Sequence, residues 1–379
     1  MDKINVRLND GTVRPYDKGT TLLAIAQDVA ASFPAPIIAV ELNHEIKHLQ
    51  HQITSDSTAF FFDMSTSLGM KVYQRSLIFV MLVAAHELFP AGQLFVEHSL
   101  GKGLYCELRL GRPLTQADTS ALEARMRQIV AEKRPIEKRI LPAEAAVRQL
   151  RAAGQETKAK LLEQLKKKLV TVYFCGDYFN YFYRTLVPDT GYLTLFELRF
   201  YPPGFVLRYP LPSAPAALPT FVDVPKLADI FLEAERWAEL IGCDYIPSLN
   251  ERIAAGEINS IVRISEALHE KKLAQIADYI TARRETLRIV VVAGPSSSGK
   301  TTFVQRLGVQ LHVNGLVPLA VSMDDYFFDR DEINATDLES IDIVDLDLLN
   351  QHLVQLLNGE EVELPRFNFR TGNREFAGQ

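Results

Sequence analysis

Apolar and polar residues alternate at the start of the chain, and this alternation predicts a small α+β domain over residues 1–66. INVRLNDGTVRPY alternates on both sides of Asn9-Asp10-Gly11, and an Asp-Gly pair between alternating runs is typical of a β-hairpin. Thr21 then precedes apolar residues at helical spacing and is the expected N-cap of a helix. IIAVELN and AFFFDMS predict two further short strands.

The pattern over residues 67–212 predicts a second α+β domain. Its first element is a buried helix at Ser76–Leu88, whose apolar run SLIFVMLVAA is shorter than the ~18 residues that span a membrane. GLYCELRL predicts a strand, and Thr115 with Asp118 three residues later predicts a capped helix. The basic segment QETKAKLLEQLKKKL predicts another helix.

A different architecture is predicted towards the C-terminal end. SAPAALP opens a linker and helical connection over residues 213–285. An apolar run at Ile289–Val292, a Gly-rich turn and a helix at Thr302–His312 then predict the first βα unit of an α/β domain over residues 286–379. VPLAVS predicts a second buried strand, and the following DLDLLNQHLVQLLN a helix that stops at Gly359.

Composition narrows the class of protein. The 379 residues carry a net charge of −6, which disfavours broad nucleic-acid binding because phosphate neutralisation needs a basic face. The three cysteines are widely spaced and form no CxxC pair, so we expect a soluble protein of the reducing cytoplasm. The pattern does not define an oligomeric state.

The segment Gly294–Thr301 fits the phosphate-binding pattern GxxxxGK[ST] between a predicted strand and a predicted helix. Glycines allow backbone amides to approach phosphate, and the helix N-terminus adds partial positive charge. We therefore expect ATP and Mg²⁺ as cofactors, with Lys300 on the β and γ phosphates and Thr301 on Mg²⁺. The expected ATP-binding residues are Gly294, Ser296, Ser297, Ser298, Gly299, Lys300, Thr301 and Thr302.

A second candidate motif, Met323-Asp324-Asp325-Tyr326, follows the strand VPLAVS. Ligands of open α/β sheets bind beyond the carboxyl ends of the strands, so Asp324 is expected to face the phosphate loop as a general base or a Mg²⁺ ligand. An acidic helix cap is the alternative for this residue. The expected substrate-binding residues are Asp325, Tyr326, Phe367 and Arg374, although aromatic residues such as Tyr326 and Phe367 also commonly pack in a core.

The segments AGPSSSGKTTF, VSMDDYFFDR and GEEVELPRFNFRTGNRE resemble the uridine kinase and phosphoribulokinase family. The resemblance implies an ATP-dependent kinase, acting on a small nucleoside-like molecule, with Lys300 and Asp324 catalytic and Phe367 against the base. Gly372 stands where uridine kinases tend to carry a base-contacting histidine. A sugar-phosphate substrate is the alternative within this family, since Arg330, Arg366, Arg370 and Arg374 are close to the motifs.

Only 79 residues follow Lys300, and two strands are clear where a parallel sheet of this class has about five. We therefore expect the kinase domain to be truncated, as in a fragment of a longer kinase. The expected fold is multidomain α+β, followed by this α/β P-loop domain.

Residues 1–66 resemble a TGS domain of the β-grasp type, and residues 67–212 resemble the editing domain of threonyl-tRNA synthetase. The segments that carry the second resemblance begin AAHELFPAGQLFVEHSLGKGLYCELRLGRPL and include YFCGDYFNYF. In our alignment, the positions of the family's histidine pair read Arg75 and Phe79, and those of its later Cys and His read Cys175 and Phe179. Arginine and phenylalanine cannot act as imidazole bases or ligands, so deacylase chemistry is expected to be missing.

Two further patterns bear on partners. Lys158, Lys160 and Lys166–Lys168 form a basic patch that fits either a tRNA contact or, as the favoured expectation, a solvated helix face. His44, His48 and His51 fit either a metal site or solvated surface histidines, and we favour the second. The competing hypothesis for the whole chain is a nucleotide-switched regulatory protein that senses tRNA or an amino acid.

Overall fold

The structure is a computed structural model that describes residues 2–331 and 340–376. The chain divides into two units, residues 1–256 and residues 257–379. The helices that precede Gly256 therefore belong with the first unit. The finer division at residues 66, 212 and 285 stays a prediction.

The first unit begins with a five-stranded mixed sheet in the order β2-β1-β5-β3-β4, in which β1 and β5 are parallel. Val6, Ile25 and Phe61 are buried between this sheet and its helix. The predicted hairpin and the Thr21 N-cap are both confirmed, since Thr21 Oγ1 accepts a hydrogen bond from the Ala24 amide. The elements are β1 Lys3–Arg7, β2 Val13–Asp17, α1 Leu22–Val29, β3 Ile37–Leu42, β4 Glu45–Lys47 and β5 Ser57–Asp63.

Two antiparallel sheets follow in the same unit, β11-β12-β7-β6 and β10-β9-β8. Their helices and strands are α2 Ser67–Leu88, β6 Gln93–Leu100, β7 Gly103–Arg109, α3 Gln116–Ala131, β8 Glu137–Pro142, α4 Ala143–Ala152, α5 Glu156–Gln164, β9 Leu169–Cys175, β10 Tyr178–Tyr181, β11 Glu197–Tyr201 and β12 Gly204–Arg208. Two helices close the unit, α6 Pro225–Leu240 and α7 Ile246–Ala254.

Helix α2 is the main core element of the first unit, and it begins nine residues before the predicted start. Thr66 Oγ1 accepts a hydrogen bond from the Gly69 amide, which fixes the helix start. A Cβ at Gly69 would lie 2.0 Å from the Asp63 carbonyl oxygen, so only glycine allows this close approach. By length and composition α2 could cross a membrane, but 67% of its apolar window is buried inside the protein, as expected for a core helix.

The second unit contains helices α8 Ile258–Thr281, α9 Lys300–Val313 and α10 Leu346–Leu357, with the hairpin strands β13 Pro365–Asn368 and β14 Asn373–Phe376. The predicted strands at Ile289–Val292 and VPLAVS are not formed. Val291 and Val317 remain 81% and 85% exposed, and no strand pairs with either segment among the described residues. A parallel strand needs hydrogen-bonded neighbours and cover on both faces, so the predicted α/β sheet is not shown.

Thr115→Ala tests the local stability of α3. Thr115 and Asp118 form a reciprocal capping box, and hydrogen bonds from Arg112 and Thr115 hold the pKa of Asp118 well below its usual range. We expect Thr115→Ala to lower the free energy of unfolding by about 1 kcal/mol in urea titrations, because the cap is lost. Thr115→Ser is the matched control and should stay close to the wild type. Equal losses in both variants would contradict a capping role.

Candidate functional site

The segment Gly294–Thr301, which is predicted to bind phosphate, forms a curled loop in front of α9. Gly299 has φ 87°, the left-handed conformation that glycine adopts without strain, and Ser297 has φ 58°. Lys300 Nζ donates to the carbonyl oxygens of Gly294 and Pro295, at 2.8 and 3.0 Å. Exposed side chains surround this turn at Ser296, Ser297, Ser298, Thr301 and Thr302. The loop therefore places a cation and a helix N-terminus together at the surface, as anion binding requires.

The predicted substrate residues make structural contacts within the second unit, and their role in substrate binding stays a prediction. Tyr326 is buried and its hydroxyl lies 3.0 Å from His352 Nδ1, while Asp325 Oδ1 accepts a hydrogen bond from the Phe367 amide. Asp324 lies exposed in a short 3₁₀ helix at Met323–Tyr326.

The same holds for the two remaining predicted substrate residues. The Phe367 ring is 7% exposed and packs edge-on against Phe327 and Phe369. Arg374 forms an ion pair of 2.9 Å with Asp345. The contacts of these residues hold the β13–β14 hairpin to α10 and the 3₁₀ helix. Tyr326 and Phe367 therefore pack as core residues, which was the alternative for the aromatic side chains.

The positions matched to an editing site lie in the first unit, and three of the four pack against apolar side chains. Phe79 on α2 is fully buried and packs against Tyr178 and Phe182. Cys175 is 2% exposed, and burial raises the pKa of its thiol, which disfavours the nucleophilic thiolate. Arg75 donates to the Thr185 carbonyl oxygen at 2.9 Å. None of the four matched positions holds an imidazole and the one thiol among them is buried, so the loss of deacylase chemistry stays a prediction.

The β9–β10 hairpin also separates two of these positions. Cys175 pairs with Tyr178, and Phe179 pairs with Phe174. Because neighbouring residues of a strand point to opposite faces, Cys175 and Phe179 lie on different faces of the hairpin. Cys175 joins the main core with α2, whereas Phe179 packs on Phe174 against α4 and α5. The alignment of the two positions gave no sign of this, since strand register depends on the partner strand.

The basic patch on and after α5 is only partly solvated. Lys158 Nζ donates to Asn180 Oδ1 at 2.8 Å, and burial lowers the pKa of this ammonium to about 8. Asn180 Nδ2 in turn donates to the Tyr178 hydroxyl at 2.7 Å. Lys160 pairs with Glu251 on α7. The favoured expectation of a solvated helix face is therefore wrong for Lys158, which braces the hairpin.

A basic surface with one exposed aromatic ring remains beside the hairpin. Tyr183 is 68% exposed, with Lys167 Nζ at 5.4 Å and Arg184 Cζ at 5.1 Å from its ring centroid. Lys166 and Lys168 are exposed next to Lys167. We name these five residues the Tyr183 surface. An exposed ring among cations can stack a nucleobase while the cations contact phosphates.

The first two of the three N-terminal histidines differ in burial. His44 is exposed, whereas His48 is 5% exposed and accepts a hydrogen bond from the Gln50 amide. Burial, with a smaller effect of the Lys138 charge, lowers the pKa of His48 to about 4. The expectation of a solvated surface histidine is therefore wrong at this position, because the ring completes a core instead.

Comparison with known proteins identifies relatives for about half of the chain. Threonine–tRNA ligase of Methylococcus capsulatus is 28% identical over 194 residues, which are 51% of this chain and 30% of the relative. Threonine–tRNA ligases of Syntrophomonas wolfei and Granulibacter bethesdensis are each 28% identical, over 191 and 176 residues. The chain thus spans about a third of the length of the curated relatives it matches. No family model matches the chain.

These findings support a threonyl-tRNA synthetase-like region in a multidomain α/β protein with several sheets. They overturn the predicted function, because the relatives are ligases acting on tRNA, not nucleoside kinases. The phosphotransferase activity, the nucleoside partner and the low expectation for tRNA were therefore wrong. The expected cofactors, ATP and Mg²⁺, are consistent with ligase relatives.

Phe79→Ala tests whether the matched editing position is a structural core position. We expect a loss of about 3–5 kcal/mol in the free energy of unfolding, because removal of the buried Phe79 ring leaves a cavity. Phe79→Leu keeps an apolar side chain and should cost about 1 kcal/mol. The measurement is urea denaturation followed by circular dichroism. A loss below about 1 kcal/mol in Phe79→Ala would contradict the packing role.

The buried His48 predicts a pH dependence of stability. Between pH 6.5 and about 4 the unfolded chain binds a proton at this ring that the folded chain does not, so stability falls as the pH is lowered through this window. The full effect is up to about 3 kcal/mol. We expect the urea denaturation midpoint of His48→Gln to depend less on pH in this range than that of the wild type. His44→Gln, which changes an exposed ring, should keep the pH dependence of the wild type. An unchanged slope in His48→Gln would exclude this residue as the cause.

Proposed function

We propose that the protein is a cytoplasmic tRNA-binding protein with a separate ATP-binding loop, and that its synthetase-like region binds tRNA without hydrolysing an ester. The observation that carries the proposal is the Tyr183 surface, which lies beside a hairpin whose matched editing positions are filled by core residues. The similarity to threonine–tRNA ligases supports tRNA as the nucleic acid.

The charge distribution agrees with local rather than broad binding. The whole chain has a net charge of −6, so contact with phosphates depends on a confined basic region. Lys166, Lys167, Lys168 and Arg184 supply that region around one exposed ring. A small number of phosphate contacts gives a modest salt dependence, and stacking on Tyr183 favours unpaired nucleotides such as those at a tRNA end.

Filter binding with total tRNA at two salt concentrations tests this surface. Tyr183→Ala should weaken binding about tenfold, because stacking on an aromatic ring contributes about 1–3 kcal/mol per base. Tyr279→Ala is the matched control, since Tyr279 is also exposed, at 57%, and also carries an arginine, Arg283, over its ring. Equal affinity of wild type and Tyr183→Ala, or binding that does not respond to salt, would contradict the proposal.

The phosphate-binding segment supports the second part of the proposal. In the nucleotide complex Lys300 would exchange the Gly294 and Pro295 carbonyl oxygens for phosphate oxygens, and Thr301 would hold Mg²⁺. ATP and tRNA would bind different residues. If bound ATP changes the affinity for tRNA, bound tRNA must change the affinity for ATP by the same factor.

Isothermal titration with ATP and Mg²⁺ checks this loop. Lys300→Ala should weaken ATP binding about tenfold or more, since a hydrogen bond to a charged group contributes about 1.5–3 kcal/mol. Lys271→Ala removes an exposed lysine of the same unit and should leave the affinity unchanged. The absence of saturable ATP binding by the wild type would refute the nucleotide site while leaving the tRNA result to stand by itself.

A further inference from the structure

Helix α6 covers the outer face of the sheet β11-β12-β7-β6. It brings the Glu235 carboxylate close to those of Glu97 and Glu107 in the sheet. Tyr105, Val206 and Ala228 are buried at this contact. Glu107 lies two residues after Tyr105 on β7 and so shares its face. Glu97 is on β6 and Glu235 is on α6.

The three carboxylates are close enough to share one ligand. One oxygen each from Glu97, Glu107 and Glu235 lies within 4.8 Å of the others. Two oxygens bound to one cation at about 2.4 Å can be at most about 4.8 Å apart, so the spacing fits a common cation. Burial, followed by the charges of Glu107 and Glu97, raises the pKa of Glu235 to about 7, which shows the cost of holding these charges together.

Two buried oxygens at the cluster make no hydrogen bond within the described part of the chain. The Tyr105 hydroxyl is one, on a side chain only 2% exposed, and Glu97 Oε1 is the other. Burial raises the pKa of Tyr105, and the charges of Glu107 and Glu235 add to this effect. A buried polar oxygen without a partner is costly, and it indicates a missing ligand.

The backbone of β6 also orients Glu97. Val96 pairs with Cys106 and His98 pairs with Tyr105, so Glu97 is an extra residue in the strand, a β-bulge. Bulges commonly redirect a side chain at a functional site. Phe95 pairs with Glu107 on this face, and Glu97, two residues after Phe95, is on the same side of β6.

One cation of the protein already contacts the cluster. Arg109 Nη2 lies 3.2 Å from Glu107, 3.4 Å from Glu235 and 3.3 Å from Glu239. The single positive charge of this guanidinium cannot balance the negative charges of these three carboxylates and of Glu97. Arg109 also leaves Glu97 Oε1 without a hydrogen-bond partner. An adjoining cavity of about 570 Å³ is lined in part by Glu107 and Glu235, and also by Arg109, Arg112 and Arg236.

We propose that Glu97, Glu107 and Glu235, with the Tyr105 hydroxyl, form a binding site for a divalent cation of the oxygen-preferring class, such as Mn²⁺ or Ca²⁺. Carboxylate oxygens are the ligands these ions prefer. The bound ion would satisfy both unpartnered oxygens and offset the repulsion of the cluster. It would also tie α6 to the sheet, because the ligands come from three separate elements.

Mn²⁺ titration of the full chain, stripped with a chelator and free of nucleotide, tests the site by electron paramagnetic resonance. We expect one saturable site in the wild type and a loss of affinity of about tenfold or more in Glu97→Gln. Glu239→Gln is the matched control, since Glu239 contacts Arg109 but lies outside the carboxylate trio, and its affinity should stay within about threefold of the wild type.

A second readout keeps the test independent of a folding defect. The Tyr105 hydroxyl is one of the proposed ligands, so Tb³⁺ bound at the cluster should show luminescence sensitised by the Tyr105 ring. Ca²⁺ should compete with Tb³⁺ and reduce the luminescence. The luminescence should also be lost in Glu235→Gln, and circular dichroism verifies that this variant is folded. No saturable Mn²⁺ binding up to about 1 mM, or equal binding by Glu97→Gln and wild type, would overturn the proposal and leave a cluster that holds a proton instead.

Discussion

The burial of α2 is the constraint on which the first unit depends. This helix is apolar over most of its length and packs in one core with β7, α3 and the β9–β10 hairpin. Its start is fixed by the Thr66 cap and by the close approach of Gly69 to Asp63. Because interiors are close-packed, the Phe79 ring determines where Tyr178 and Phe182 can lie.

This packing supports the proposal that the region binds without hydrolysing an ester. A ring at Phe79 and a buried neutral thiol at Cys175 give stability, whereas hydrolysis would need a polar, water-filled pocket at the same place. Binding requires no such pocket, since an exposed ring and nearby cations act from the surface. The polar chain from Lys158 through Asn180 to Tyr178 connects the interior of the hairpin with the helix before it. The hairpin is thus held rigidly while Tyr183, just beyond it, stays exposed.

Local features were predictable from the sequence, and features that depend on distant partners were not. The caps at Thr21 and Thr115 and the first hairpin follow from short-range hydrogen bonding, and all three are confirmed. The strands at Ile289–Val292 and VPLAVS needed neighbouring strands that the described residues do not supply. The motif pattern alone predicts a phosphate loop at Gly294–Thr301, and its binding of phosphate stays a prediction. The contacts of Tyr326, Phe367 and Arg374 depend on α10 and the last hairpin. Glu235 follows Glu107 by more than a hundred residues, so their proximity required the fold.

Incubation of the protein with a mischarged tRNA separates binding from hydrolysis by the synthetase-like region, which we propose binds tRNA without cleaving the ester. We expect a stable complex in which the ester decays no faster than in buffer, in the wild type and in Cys175→Ala alike. Hydrolysis that is faster than the buffer control and disappears in Cys175→Ala would show that the buried thiol is reactive, and it would refute a region that only binds tRNA.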